Sequence, residues 1–514
     1  MQARKMYNEL AMKDRQQHLT RAYDASALTL PYLLPDNDRS KDDELPRIYS
    51  GVGARNVNNL SSKLMLTLFP PGSPYFRMEI DDQTLEELTQ QEGMRAQVEE
   101  ALGSRERTVL SKFEANALRV PLSEAIMHLI VAGNVLIKEN KGKLKVYHMD
   151  QYVVLRDPEG EPLKIIIKEL MSRELFKETF NQDPPENSDK DDQKPLALYT
   201  VVKRAEGKYK VWQEVEDIRI QGSDHTFPID KLPYLPLRWR SIDGVNWGIG
   251  LVGQYIDDFR ALDGFSKLLL EGSAASARVL FGIRPNSPVG PNDMASLDNL
   301  DFFSANPDDV WALQTQKHAD LSVGRQEKED IIKRLDAAFL LTQSIQRQAE
   351  RVTAAEINIM ANELETSLGG IYALLSHELQ LPLTVLLIAD LERTGKLPPL
   401  PKDTVRPVII TGFDALGRSN DSNKMAMYIR EATASLGPEA VLQYVNVGDY
   451  LKRSGVGFGI DMKGLLKTEE EVQQAQQAAQ QQAMQQQALQ SLGPQAVSQG
   501  GQLIRERSNG NNAG

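Results

Sequence analysis

Apolar positions along the chain recur first at helical and then at strand spacing. In "GVGARNVNNLSSKLMLTLFPPGSP", Val57, Leu60, Leu64 and Leu68 recur at three- and four-residue steps, so a helix is expected from about Val52. Pro70 and Pro71 close it. A second helix is expected over 120–132, with Leu122, Ile126, Leu129 and Ile130 on one side. The period then changes. "KLKVYHMDQYVVLRD", "LKIIIKEL", "LALYTVVKR" and "KYKVWQEV" are β-branched and aromatic, with alternation and polar breaks between them. Residues 143–240 therefore read as a mainly antiparallel β region, with "FNQDPPENSDKDDQKP" (180–195) as its long charged loop.

Two long helices follow. The first covers about 249–271, with Val252, Ile256, Phe259, Leu262, Phe265 and Leu269 at helical steps; at 1.5 Å per residue it is about 34 Å long. The second covers about 324–342, with Ile331, Ile332, Leu335, Ala338 and Phe339 turned inward. Between them, "RPNSPVGPNDMASLDNLDFFSANPDDV" is rich in Pro, Asn, Asp and Gly and marks a small non-helical module. The polar stretch "TQSIQRQAERVTAAEI" (342–357) ends the second helix, and Thr353 with Glu356 has capping-box spacing. A broken helical segment is expected from Thr353 to Arg393, interrupted at Gly369–Gly370 and at Pro382. A strand and short helices reach about Leu466. The Gln/Ala-rich "TEEEVQQAQQAAQQQAMQQQALQ" is a helix or a disordered tail, and disorder is expected beyond Ser491. The helix–insert–helix pair is either part of an ordinary bundle or a hairpin that lines a channel when copies close into a ring.

Composition narrows the class. With 514 residues, 41% apolar and 25% charged, the chain is an ordinary globular protein with room for several domains. A net charge of −12 argues against a domain that clings to nucleic acid through a basic surface, but not against one that handles DNA without gripping it. The absence of cysteine excludes disulfides, thiolate metal sites and cysteine nucleophiles. The N-terminus lacks the apolar core of a signal peptide, and the longest apolar runs (129–137 and 381–389) are half of the ~20 residues that span a bilayer. A soluble protein without a membrane role is expected.

Candidate chemistry is sparse. Gly248, Gly250 and Gly253 match G-x-G-x-x-G, but polar "RSIDGVNW" precedes them where a buried strand is needed. Close helix packing is the better account, and a nucleotide-binding enzyme is the alternative. There is no P-loop and no nucleophile elbow, and the histidines are scattered. No catalytic residue, metal or cofactor is expected.

The strings "GVGARNVNNLSSKLMLTLFP" (51–70), "VAGNVLI" (131–137), "YVVLRD" (152–157), "QGSDHTFP" (221–228), "ERVTAAEI" (350–357), "ETSLGGIYALLSHELQLPL" (365–383) and "GFDALGR" (412–418) resemble, in this order, portal proteins (head–tail connectors) of short-tailed bacteriophages. The resemblance covers roughly 15–465 and fades in 180–195, 283–312 and the Gln-rich tail. It implies an α+β portal fold assembled as a dodecameric ring at one capsid vertex, a conduit for double-stranded DNA during packaging and ejection, and a nucleator of procapsid assembly. It also implies a wing (1–247 and 353–410), stem helices (248–273 and 323–343), a clip (274–322), a tunnel loop (344–352), a crown (411–466) and a tail (467–514). The implied partners are the terminase large subunit, a tail adaptor, the major capsid and scaffolding proteins and internal core proteins, in a virion assembled in the host cytoplasm. On this division Gln346, Arg347, Gln348 and Arg351 are the DNA-facing tunnel-loop residues. Arg325, Lys328, Lys333 and Arg334 are stem-lumen candidates, and Arg278, Arg284, Lys317 and His318 are clip docking candidates. A non-portal scaffold whose tail recruits a partner is a further alternative.

Overall fold

The computed structural model describes residues 2–35, 44–71, 74–80, 94–185, 195–276, 280–287, 290–298, 301–302, 304, 306, 308–313, 318–341, 360, 363–364, 366–399, 405–409, 417–457, 465, 481–482 and 484. Two compact units divide the chain: Met1–Ile80 with Arg105–Ala415, and Asp81–Ser104 with Leu416–Gly514.

The first unit opens with α1 (Ala3–Leu10), a π turn (Ala11–Arg15) and α2 (Gln16–Leu28), followed by α3 (Val52–Leu68) and β1 (Phe76–Ile80). Next come α4 (Met94–Ala115) and α5 (Arg119–Ala132). Gly133, left-handed at φ +77°, caps α5 and turns the chain straight into β2 (Asn134–Asn140) and β3 (Lys143–Tyr147). The β region therefore begins at Asn134 rather than 143. The expected helix end at 132 stands, and the strand follows it at once because one glycine makes the whole turn.

β4 (Tyr152–Arg156), β5 (Pro162–Met171), α6 (Arg173–Phe180), β6 (Leu196–Ala205), β7 (Lys208–Val215), β8 (Ile218–Arg219) and β9 (His225–Pro228) supply an antiparallel sheet in the order β4-β5-β6-β7-β8, with β9 also on β7. One face buries Val153, Ile166, Tyr199 and Val201 under Ala3, Met6, Tyr7 and Ala11 of the N-terminal helix. The other face buries Tyr152, Val154, Ile165, Ile167, Val202 and Val211 against Leu19, Leu136, Tyr147 and Trp247. Coverage on both faces explains the unbroken runs of buried residues in "YVV", "III" and "TVV", where a half-exposed sheet would alternate. β10 (Tyr234–Arg238) joins β2 and β3 in a second sheet.

The chain then enters α7 (Leu251–Gln254) and α8 (Ile256–Ser276), interrupted at Tyr255. The insert carries β11 (Leu280–Ile283), the short α9 (Pro291–Ala295) and β12 (Val310–Leu313), with β11 and β12 paired antiparallel. α10 (His318–Ala338) returns antiparallel to α8. Phe339 packs edge-on against Phe259 at 5.7 Å, and a Cβ on Gly272 would stand 2.9 Å from Leu321, so the two helices touch from base to tip.

Downstream, α11 (Gly370–Leu375), a π turn (Ser376–Gln380) and α12 (Leu381–Arg393) form one helical rod. The break at the glycines stands, since Gly369 takes φ +20°. The expected break at Pro382 does not occur. Pro382 lacks the N–H that would bond to Glu378, and the wider π turn just before it absorbs the defect without ending the helix. β13 (Val405–Ile409) pairs with β1. In the second unit, α13 (Gly417–Leu436) packs on α14 (Pro438–Tyr444) and α15 (Val447–Gly457); α13 is long where short helices were expected. The Thr353–Glu356 capping box lies outside the described residues.

Gly250 ties the root of the helical hairpin to the last turn of α5. A Cβ there would lie 2.6 Å from the Val131 carbonyl oxygen and 2.7 Å from that of Ile130, both rigid backbone. Gly250→Ala should therefore destabilise the protein by about 1–3 kcal/mol, read as a lower urea midpoint. An unchanged midpoint would show that the contact is looser than this.

Candidate functional site

The helical hairpin holds the first set of candidates. On α10 the positions 321, 324, 328, 331, 335 and 339 follow helical steps and form the seam against α8; Ile331, Leu335 and Phe339 are buried and Lys328 is half-buried among them. Arg334 lies elsewhere on the helix and donates to Asp258 of α8 at 2.8 Å. That hydrogen bond holds its guanidinium pKa above the ordinary value. Lys333 is exposed and pairs with Asp330 at 3.1 Å, and Arg325 is exposed. The four basic residues thus do not share a face: one sits on the seam, one is tied across it, and two point outward. Acidic side chains outnumber basic ones on α8 and α10 together.

Apolar side chains also stand outward on this hairpin. Leu268 and Leu270 of α8 are 63 % and 62 % exposed, and Val323 of α10 is 60 % exposed. Leu268 and Leu270 bracket the seam residue Leu269, so they lie about 200° apart, one on each flank of the helix. Sequence reasoning passed over them because it looked for charge.

The end of α10 has its own geometry. Leu340 takes the left-handed conformation at φ +56°, and the Leu341 N–H donates to the Asp336 carbonyl at 2.7 Å, closing a Schellman turn. Leucine in that region costs about 1–2 kcal/mol, a position that glycine usually fills. The buried Lys63 of α3 donates to the Leu340 carbonyl and to Glu363 Oε2 at 3.0 Å. Arg55, also on α3, holds Asp336 with both carboxylate oxygens at 2.7 and 3.0 Å. The tunnel-loop candidates Gln346, Arg347, Gln348 and Arg351 lie outside the described residues.

In the insert, Arg278 and Lys317 also lie outside them, and His318 begins α10. The Arg284 N–H donates to the Asp309 carbonyl at 3.0 Å, where the β11–β12 hairpin closes. The insert's exposed aromatics were missed: Phe281 is 61 % exposed, Trp311 50 %, and Phe302 fully exposed. Phe302 within the Pro/Asn/Asp-rich stretch, and Phe281 and Trp311 at its two edges, were the available sign.

The Gly248–Gly253 string serves packing. The Gly248 N–H donates to Asn134 Oδ1 at 2.7 Å, and Asn134 Nδ2 donates back to the Gly248 carbonyl at 2.8 Å. The strand before it, β10, runs antiparallel to β2, and the helix after it leads into a hairpin, so the parallel βαβ unit of a dinucleotide site is not built here. The adjoining cleft, about 350 Å³, includes Arg21 and Arg260 in its wall, and Arg260 is paired with Asp24 at 2.6 Å.

The fold is thus a β unit covered on both faces, followed by a long antiparallel helical hairpin with a small β insert between its helices. Residues 2–466 match the family described as bacteriophage head to tail connecting protein, and the chain belongs to that family. It is 35% identical over 489 residues to the portal protein of Escherichia phage T7, covering 93% of this chain and 91% of that protein. It is 36% identical over 479 residues to the portal protein of Enterobacteria phage T3, covering 92% and 89%. The portal protein of Enterobacteria phage SP6 is 30% identical over 475 residues, covering 91% and 90%. Among solved structures, the neck of an empty gene transfer agent particle is a remote likeness, 12% identical over 79% of this chain and 90% of that one, with a TM-score of 0.37. The chain is thus a phage portal protein, a head–tail connector and a structural component of the virion at the head–tail junction.

Calorimetric titration with ATP or NAD should give no saturable heat. Saturable binding would reinstate a nucleotide site at Gly248–Gly253.

Proposed function

We propose that the chain forms a dodecameric ring at one capsid vertex, through which double-stranded DNA is packaged and later ejected, with no catalysis of its own. The observation that carries this reading is the long hairpin with aliphatic side chains on both flanks. Exposed apolar surface is unfavourable by about 25 cal/mol per Å². A head-to-tail ring presents two different faces of each subunit to its neighbours, so it covers Leu268 on one side and Leu270 on the other.

The charge pattern fits passage. Each phosphate that a protein neutralises adds affinity, so a strongly basic lumen would hold the duplex instead of letting it slide. On an acidic hairpin, Arg325 offers scattered contacts without sequence preference, while Arg334 is occupied by Asp258, Lys333 by Asp330 and Lys328 by the seam. In this reading α8 and α10 are the stem, within 248–273 and 323–343. Residues 1–247 with 353–410 are the wing, which includes the N-terminal helices, the β unit, α11 and α12; residues 411–466 are the crown, and 467–514 are a tail on the capsid interior. Residues 344–352 are the tunnel loop, where Gln346, Arg347, Gln348 and Arg351 meet passing DNA.

The insert is the clip. Exposed aromatics are the residues most often central to protein interfaces, so Phe281, Phe302 and Trp311 join Arg278, Arg284, Lys317 and His318 as the docking surface. The terminase large subunit binds there during packaging and the tail adaptor afterwards. Capsid, scaffolding and internal core proteins complete the partners, with assembly in the host cytoplasm.

Arg347→Ala combined with Arg351→Ala should leave ring assembly intact and lower the DNA content of heads. Heads of wild-type DNA content carrying both substitutions would remove the tunnel-loop role.

A further inference from the structure

We propose that Lys63 is the positioning residue of the channel loop: it clasps the two ends of the segment between Leu340 and Glu363 and sets where that segment leaves the stem. This rests on the portal reading for what the segment does, but not for the clasp itself. Lys63 lies in α3 between the fully buried Leu60 and Leu64, and only 6 % of its side chain is exposed. An ammonium in that position is tolerated only when it is paired and hydrogen-bonded. Its partners come from either side of one segment: the Leu340 carbonyl just past the end of α10, and the carboxylate of Glu363, a helical residue downstream.

The neighbouring contacts divide between the two ends. Arg55, two turns earlier on α3, holds only the stem side through Asp336. Near the other end of α3, the Thr67 carbonyl accepts from Tyr372 at 3.3 Å and the Leu68 carbonyl accepts from Gln380, which hold only the downstream rod. Among the described residues, Lys63 is the point on α3 where both sides meet. Leu340 is also the residue in left-handed backbone, and its carbonyl is the one that Lys63 grips. A strained residue held by a buried cation at the root of a functional segment is a built feature, because strain persists only where the surroundings enforce it.

The test is hydrogen–deuterium exchange on the assembled protein, comparing wild type with Lys63→Met, Lys63→Arg and Glu363→Gln. In Lys63→Met, the amides of Phe339–Leu341 and of residues 363–364 should exchange about tenfold faster, while β5 and β6 stay protected. Lys63→Arg, which keeps a cation within reach of both partners, should stay close to wild type. Glu363→Gln, which leaves the Leu340 contact in place, should loosen residues 363–364 alone. It decides the matter if Lys63→Met does not fold. Unchanged exchange at both ends in folded variants overturns the clasp, and so does acceleration spread evenly through α3 and the sheet. DNA retention in heads provides the second arm: faster local exchange with normal retention keeps the clasp and overturns the DNA role of the loop.

Discussion

The structure depends on a backbone crossing at which there is no room for a side chain. α5 ends at Gly133, β2 starts one residue later, and the path to the stem passes Gly248 and Gly250 directly over that turn. Asn134 locks the crossing by donating to and accepting from the backbone of Gly248. A lever as long as α8 magnifies small errors at its base, so a well-placed stem needs a rigid root. Backbone against backbone, closed by a two-way amide, provides one. The same glycines that mimic a dinucleotide fingerprint thus have a mechanical purpose.

From that root the hairpin presents apolar side chains on its sides and little free positive charge. Its seam is aliphatic and aromatic, its flanks keep leucines in reserve, and three of its basic side chains are held in ion pairs. Arg334 faces Asp258, Lys333 faces Asp330, and Arg260 faces Asp24. Exposed ion pairs of this kind add little stability, but they lower the free positive charge available to phosphates. On the proposed reading, a conduit for DNA benefits from that arrangement more than from a grip.

Much of this was legible in the sequence, and the exceptions have physical causes. α3 and the seam of α8 could be read because Leu60, Leu64, Phe259 and Leu262 recur at helical steps and are in fact buried. β2 could not, because one glycine turn hides the change of period. Pro382 misled because a π turn carries the helix through it. Lys328 was chosen for its charge, although its spacing from Gly324, Ile331 and Leu335 already placed it on the seam. Lys63 stayed invisible for the opposite reason: a lysine inside an apolar run reads as a surface residue until its partners, some three hundred positions away in sequence, are known.

The ring is the centre of the account, and imaging the purified protein tests it most directly. Single-particle electron microscopy should give closed rings of twelve subunits, with α8 and α10 lining the channel and Leu268 and Leu270 buried against opposite neighbours. Uniformly monomeric particles at high concentration, or rings that leave both leucines in solvent, would contradict it.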